Sequence, residues 1–326
     1  MTDRPQPAGP ASRPVSDRGR DDTVLPFSVE QLDLRGRIVR LGASVDHILS
    51  QHAYPVPVAR VVGEALALTI LLGSSLKIER RFQLQTRSDG AIDMLVVDFD
   101  APDRLRAFAR FDAARLAGAG RGQDLLGSGH LAFTVDQGGD AARYQGIVAL
   151  EGQGLEAAAH QYFRQSEQIP TQIRLAVAQS MTASDFSWRA GGLMIQYLPN
   201  AGDRLRRIDL DPGDVPEGTS FEPAQEDDAW TEAKAIAATV EDHELVDPTL
   251  SSERLLYRLF HQPGVKVFAP KTVRDACRCS DDGVKAMLRG FSAEDRDEMV
   301  GDDGRIGVTC EFCSTFRAFD PKDFDD

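Results

Sequence analysis

The chemistry available to this sequence is concentrated in four cysteines. They read Cys277-Arg278-Cys279 and, after 30 intervening residues, Cys310-Glu311-Phe312-Cys313; the 326-residue chain has no other cysteine. Two close pairs about 30 residues apart have the spacing of a four-thiolate zinc site, in which each pair gives two ligands from one tight turn. The predicted ligands are Cys277, Cys279, Cys310 and Cys313, with one zinc per chain in the reduced form and no histidine. A plain structural ribbon uses turns with two residues between the cysteines, whereas the first pair here has one. Such a pair can chelate a metal. It can also close a strained disulfide if its Cα atoms lie within about 7 Å. Metal-bound thiolates stay nucleophilic and open to an oxidant. The residues alone therefore leave a structural site and a redox site both open.

Other patterns carry less. Ser74-Ser75-Leu76-Lys77 matches the S-x-x-K acylase signature but has no companion S-D-N. Gly118-Ala119-Gly120-Arg121-Gly122 lacks the strand-then-helix setting of a nucleotide fingerprint and reads as a loop. The six histidines (His47, His52, His130, His160, His243, His261) are scattered, none beside a cysteine in sequence, and read as surface or packing residues. Phe312, Phe316 and Phe319 are expected to form a small aromatic core over the metal.

The elements that must position the cysteines fall into unlike parts. Residues 1–200 hold 21 basic and 22 acidic side chains, residues 201–276 hold 9 and 16, and residues 277–326 hold 7 and 13. Nearly all of the net charge of −14 therefore lies in residues 201–326. So acidic a chain is a poor partner for nucleic acid or an anionic membrane. Its longest apolar stretch, residues 61–76, is short and broken by Glu64, Gly73, Ser74 and Ser75, which predicts a buried core helix. Residues 1–23, with four prolines and no apolar run, read as a disordered tail rather than a targeting segment. The expected location is the cytoplasm.

Residues 24–200 read as the stable body. A turn is predicted at Arg35-Gly36 before a short strand over 37–41, then helices over 45–52 and from Pro57. Alternating apolar residues predict strands around 82–84, 92–96, 105–111, 131–135 and 144–150, with hairpin turns at Ser88-Asp89-Gly90 and Gln137-Gly138-Gly139-Asp140. A helix over 155–168 and strands over 172–178 and 193–198 follow. The predicted class is α+β: a mixed, largely antiparallel sheet core with packed helices, then a helical linker and a small C-terminal zinc domain. Residues 201–276 form the acidic linker, with helices over 229–240 and 255–261 and marginal stability of its own. Residues 277–326 form the zinc domain.

The cysteine pattern resembles that of the redox-regulated chaperone family called heat-shock protein 33. Other segments are similar to the family's: His52-Ala53-Tyr54-Pro55-Val56-Pro57-Val58, Tyr162-Phe163-Arg164-Gln165-Ser166-Glu167-Gln168-Ile169-Pro170-Thr171, Ala190-Gly191-Gly192-Leu193-Met194-Ile195-Gln196, and Leu256-Tyr257-Arg258-Leu259-Phe260-His261. The resemblance spans about residues 24–319. It implies an ATP-independent holdase that binds unfolding client proteins under oxidative stress, is inactive while reduced and zinc-bound, and is a homodimer when active. It implies that Cys277, Cys279, Cys310 and Cys313 are redox-active thiols, and that oxidation forms a disulfide within each pair, releases zinc and unfolds the zinc domain and linker. The expected protein is not an enzyme; the alternative is a zinc-containing thiol-disulfide oxidoreductase using Cys310 and Cys313.

Overall fold

The computed structural model describes residues 21–76, 81–118, 125–136, 144–181, 186–198 and 227–324. Alternating side chains build two six-stranded sheets. The first contains β1 (Thr23–Val29), β2 (Leu34–Leu41), β8 (Thr171–Met181) and β9 (Phe186–Tyr197), in the order β1-β2-β9-β8. Two short strands, β10 (Lys266–Val267) and β11 (Lys271–Thr272), pair with the free side of β1. The second sheet runs β12-β5-β4-β3-β6-β7. Its members are β3 (Arg81–Ser88), β4 (Ile92–Asp100), β5 (Arg104–Phe111), β6 (Ser128–Asp136), β7 (Tyr144–Glu151) and β12 (Arg274–Asp275). Its pairings are antiparallel except that of β12 with β5. The expected α+β class with largely antiparallel sheets is what the chain adopts.

Helix α1 (Ala43–Ser50) leads into α2 (Val56–Gly73), which lies between the sheets and touches β2, β8 and β9 on one side and β3, β4 and β5 on the other. A helix buried all round must be apolar all round. That is why α2 reaches a mean hydropathy of 1.7 over 18 residues, long and apolar enough to cross a membrane, while 78% of it is buried inside the fold. Pro57 sits in its first turn, where no N–H is needed.

The first sheet is buried on both faces. Val39 and Met194 point into the α2 core, while Ile38, Leu193 and Ile195 point the other way. That second face is covered by α5 (Asp228–Ala238), α6 (Asp242–Val246) and α7 (Ser252–Phe260), which bury Trp230, Leu245, Leu255, Leu256 and Phe260 on it. The region read as marginal therefore draws its order from the body: its apolar side chains pair with a sheet face rather than with one another. Residues 199–226 lie outside the described residues.

Local differences have identifiable causes. Gly36 is inside β2, not in a turn, because it faces Phe27 across the strand pair and a Cβ there would lie 2.2 Å from the Phe27 ring. Strand β9 begins at Phe186, seven residues before the expected 193, since Ala190 to Gly192 carry small side chains that hide the alternation. After the short α3 (Ala113–Gly118), the helix expected over 155–168 is α4 (Leu155–Tyr162), which widens into a π turn over Phe163–Glu167 and ends at Gln168 with φ of 52°. Asp21 and Asp22, read as part of the tail, are structural: Asp21 pairs with Arg189 at 2.8 Å, and Asp22 accepts the Gly42 N–H at 3.0 Å. Residues 1–20 and the turn at 137–140 lie outside the described residues.

The close approach at Gly191 gives a direct test of linker seating. A Cβ there would lie 2.2 Å from the Leu245 carbonyl oxygen in α6. Gly191→Ala is expected to loosen α6 by about 1–3 kcal/mol, seen as faster amide exchange over residues 242–246 with the two sheets unchanged. Wild-type exchange in α6 would show that this contact does not hold the linker.

Candidate metal centre

Strand β12 delivers the first cysteine pair. Arg274 and Asp275 run parallel to Arg104 and Leu105 at the edge of the second sheet, and the Ala276 N–H donates to the Leu105 carbonyl at 2.9 Å. Cys277 follows at once. Ser280 then caps α8 (Asp281–Leu288), its Oγ accepting the Gly283 N–H at 3.1 Å. The acidic Asp281 and Asp282 occupy the first turn, where the helix dipole favours negative charge. Asp281 also holds Arg317 at 2.6 Å.

A second helix, α9 (Ala293–Glu298), precedes the hairpin of β13 (Ile306–Thr309) and β14 (Phe316–Phe319). The second cysteine pair is the turn of that hairpin. The Ser314 N–H donates to the Cys310 carbonyl at 2.8 Å and the Cys310 N–H to the Thr315 carbonyl at 3.0 Å, with Ser314 at a φ of 52°.

The turn brings the four predicted ligands together. All four sulfurs lie within 4.8 Å of one another and all are free thiols. Cys277 Sγ is 3.7 Å from Cys310 Sγ, and Cys279 Sγ is 3.3 Å from Cys313 Sγ. A tetrahedral ion with sulfur at about 2.3 Å needs sulfur–sulfur edges of about 3.8 Å. The cluster fits such an ion, and four soft sulfur donors suit zinc or an iron–sulfur group. Burial and the neighbouring sulfurs push the Cys279 thiol up to about 12. Burial acts the same way on Cys313, but Thr315 and the other sulfurs outweigh it and bring that thiol down to about 6. No histidine nitrogen belongs to the cluster among the described residues.

The small unit has little core of its own: Leu288, Ile306, Phe319 and Phe324. Of the three phenylalanines expected over the metal, only Phe319 is in it. Phe316 is exposed, and Phe312 turns to the body, where Phe108 lies 6.3 Å away and the Arg106 guanidinium sits 3.8 Å above its ring.

Body residues thus reach the centre, and the sequence reading missed them. His52, expected to be a surface or packing residue, does pack, and its Nε2 also lies 3.0 Å from the Phe312 carbonyl and its Nδ1 3.3 Å from Ser314 Oγ. Its ring stacks on Tyr54, whose hydroxyl accepts the Ala109 N–H at 2.9 Å. The signal available was the segment 52–58, which the sequence offers only as a likeness to the family's. Ser74 and Ser75 cap the end of α2, with Ser75 Oγ donating to the Leu72 carbonyl at 2.6 Å. Lys77 and residues 119–122 lie outside the described residues.

The profile of the family described as "Hsp33 protein" matches residues 22–320. The chain belongs to the Hsp33 family. A protein of Caulobacter vibrioides named 33 kDa chaperonin is 44% identical over 307 residues, 92% of this chain and 95% of that one. A 33 kDa chaperonin of Shewanella woodyi is 32% identical over 302 residues, 93% of this chain and 94% of that one. The Hsp33 homologue of Thermotoga maritima has a similar crystal structure. Its TM-score is 0.70 at 17% identity, with 93% of this chain and 96% of that one covered. That last likeness concerns the fold.

For this Hsp33 member, X-ray absorption of the reduced protein is expected to show sulfur ligands only, at about 2.3 Å, with one zinc per chain. A fit that needs nitrogen, or one zinc per two chains, would contradict the ligand set.

Proposed function

We propose that the chain is a redox-switched, ATP-independent holdase of the cytoplasm that captures unfolding proteins during oxidative stress. One observation carries the reading: the chain's four cysteines converge within 4.8 Å in a unit whose core is four side chains. Such a unit depends on what its thiolates bind. Cys277, Cys279, Cys310 and Cys313 would hold one zinc in the reduced form. Zinc here supplies folding free energy and no turnover chemistry.

The chain's own residues do the rest. Oxidised thiols stop acting as ligands, and the unit loses its support. The helices before it, residues 228–260, lie on an apolar sheet face that includes Phe27, Leu34, Leu193 and Ile195. Their release uncovers that face and their own apolar sides, an area suited to unfolding clients. Homodimerisation in the active form belongs to the same reading. The relatives' name, chaperonin, supports a chaperone rather than an enzyme.

The test compares reduced and peroxide-treated protein in suppressing aggregation of a thermally unfolding client. The oxidised form is expected to protect and the reduced form not. Trp230, buried 6.1 Å from the Tyr197 ring, is expected to shift to the red on activation. Equal protection by both forms, or thiol–disulfide turnover with a small thiol donor instead of protection, would refute the proposal.

A further inference from the structure

A buried carboxylate of the body is shared between the body and the first cysteine pair. Asp98 on β4 is 1% exposed. Its Oδ1 accepts from Gln83 Nε2 at 2.8 Å. Its Oδ2 accepts from Arg106 Nε at 2.8 Å and Nη2 at 2.5 Å. It also accepts from Arg278 Nη2 at 3.0 Å, and Arg278 Nε lies 3.1 Å from Asp100 Oδ2. Arg278 is the residue between Cys277 and Cys279. Arg106 in turn lies 3.9 Å from Cys277 Sγ and covers Phe312 of the second pair.

We propose that the Asp98–Arg278 pair is a latch that holds the first cysteine turn in its chelating shape and so sets how readily that pair oxidises. The inference rests on the redox reading above.

Two features of the geometry support it. First, the sulfurs of the first pair lie 3.7 and 3.3 Å from those of the second, with all four within 4.8 Å of one another. A Cys277–Cys279 bond needs those two sulfurs at about 2.05 Å with a dihedral near 90°. With one residue between them, the backbone at Arg278 must refold, and a side chain fixed on two carboxylates is drawn off both. Second, Asp98 does not depend on Arg278. A buried carboxylate left bare is costly, but Gln83 and Arg106 remain on it when Arg278 leaves. The latch can therefore open and close without unfolding the sheet that carries it.

The step it restrains is balanced as follows. Cys277 and Cys279, as thiolates, give up two electrons and form one S–S bond. Hydrogen peroxide takes those electrons with two protons from solvent, its O–O bond breaks, and two waters leave.

The experiment uses the full reduced, zinc-loaded chain treated with hydrogen peroxide. Zinc release is followed with a metallochromic indicator and the Cys277–Cys279 bond by mass spectrometry. Arg278→Gln is expected to release zinc and form the bond about 5–30 times faster than wild type, the factor that one or two kcal/mol represents. Asp98→Asn is expected to do the same, and the double variant to be no faster than either single one. Raising salt should speed the wild type, as a partly exposed ion pair is screened, and leave Arg278→Gln unchanged. Unchanged melting of the two sheets in Arg278→Gln separates the latch from general destabilisation.

Slower release in Arg278→Gln would mean that the guanidinium acts by holding the thiolates ionised, and would overturn the latch. Additive effects of the two substitutions would overturn it as well. A wild type that releases zinc on oxidation, with Arg278→Gln at the same rate, sinks the latch alone. A wild type that binds no zinc, or keeps it under peroxide, sinks the redox reading and the latch with it.

Discussion

Removal of the metal from the reduced protein with a chelator is expected to unfold residues 277–324 while the two sheets keep their melting transition. The C-terminal unit buries four large side chains, Leu288, Ile306, Phe319 and Phe324. So small a core cannot offset the conformational entropy of ordering nearly 50 residues. Zinc binding can supply about 10–16 kcal/mol that acts as folding free energy, so its loss decides the outcome. The body differs. Its largest cluster runs across both sheets and α2 and includes one residue from beyond the linker helices, Val273. Amide exchange after chelation should therefore be fast throughout residues 277–324 and remain slow in β2, β3, β4 and β9. A chain truncated near residue 200 should melt cooperatively and ignore both chelator and peroxide. Persisting protection over residues 306–319 without metal would show that the hairpin folds by itself, and the switch would lose its basis.

Peroxide-activated protein is expected to carry Cys277–Cys279 and Cys310–Cys313 bonds, although in the folded cluster sulfurs of opposite pairs lie 3.7 and 3.3 Å apart. Proximity before oxidation favours a crosslink between pairs. Energetics after it does not favour an unfolding switch made that way. A Cys277–Cys310 or Cys279–Cys313 bond would close a loop of more than 30 residues and retain roughly 3–4 kcal/mol of order on the chain-entropy model. Bonds within pairs close loops of three and four residues, offer no more than about 1.5–2 kcal/mol each on the same model, and leave the intervening segment free. Peptide mapping of the active form decides between them. A dominant crosslink between pairs would mean that oxidation staples the unit, and the proposed release of the linker would be wrong.

The cysteine cluster was legible because its spacing is local: each pair is one turn, and bringing two such turns together is what a four-thiolate site requires. The hairpins of the second sheet were legible for the same reason, since alternation and turn residues act over a few positions. What the sequence hid is long-range. Arg106 and Cys277 are 171 positions apart, and His52 and Phe312 are 260. No periodicity links such residues. Asp98 sits in an otherwise apolar strand, Met94 to Phe99, and no local pattern shows its burial. Its third partner, Arg278, joins Gln83 and Arg106 only when β12 docks on β5. The linker, expected to be marginal on its own, hides its seat on the body in a related way. Its apolar residues are too few to fold alone but sufficient to cover a sheet face already formed.

Strand β1 has one further consequence. Its inner side pairs with β2 over seven residues, and its outer side is closed only by β10 and β11, two residues each, on the segment between the linker helices and the first cysteine. Removing that segment would turn β1 into an open rim of the sheet. An open rim offers backbone donors and acceptors to any extended chain, another copy of the same protein included, and so invites fibrous stacking. Pro26 lies in the middle of β1 and has no N–H to give, while its carbonyl now accepts from Phe268 at 2.9 Å. A rim interrupted by proline is a poor template for growth. The same residue that tolerates the closed arrangement would thus guard an opened molecule against adding strands to itself.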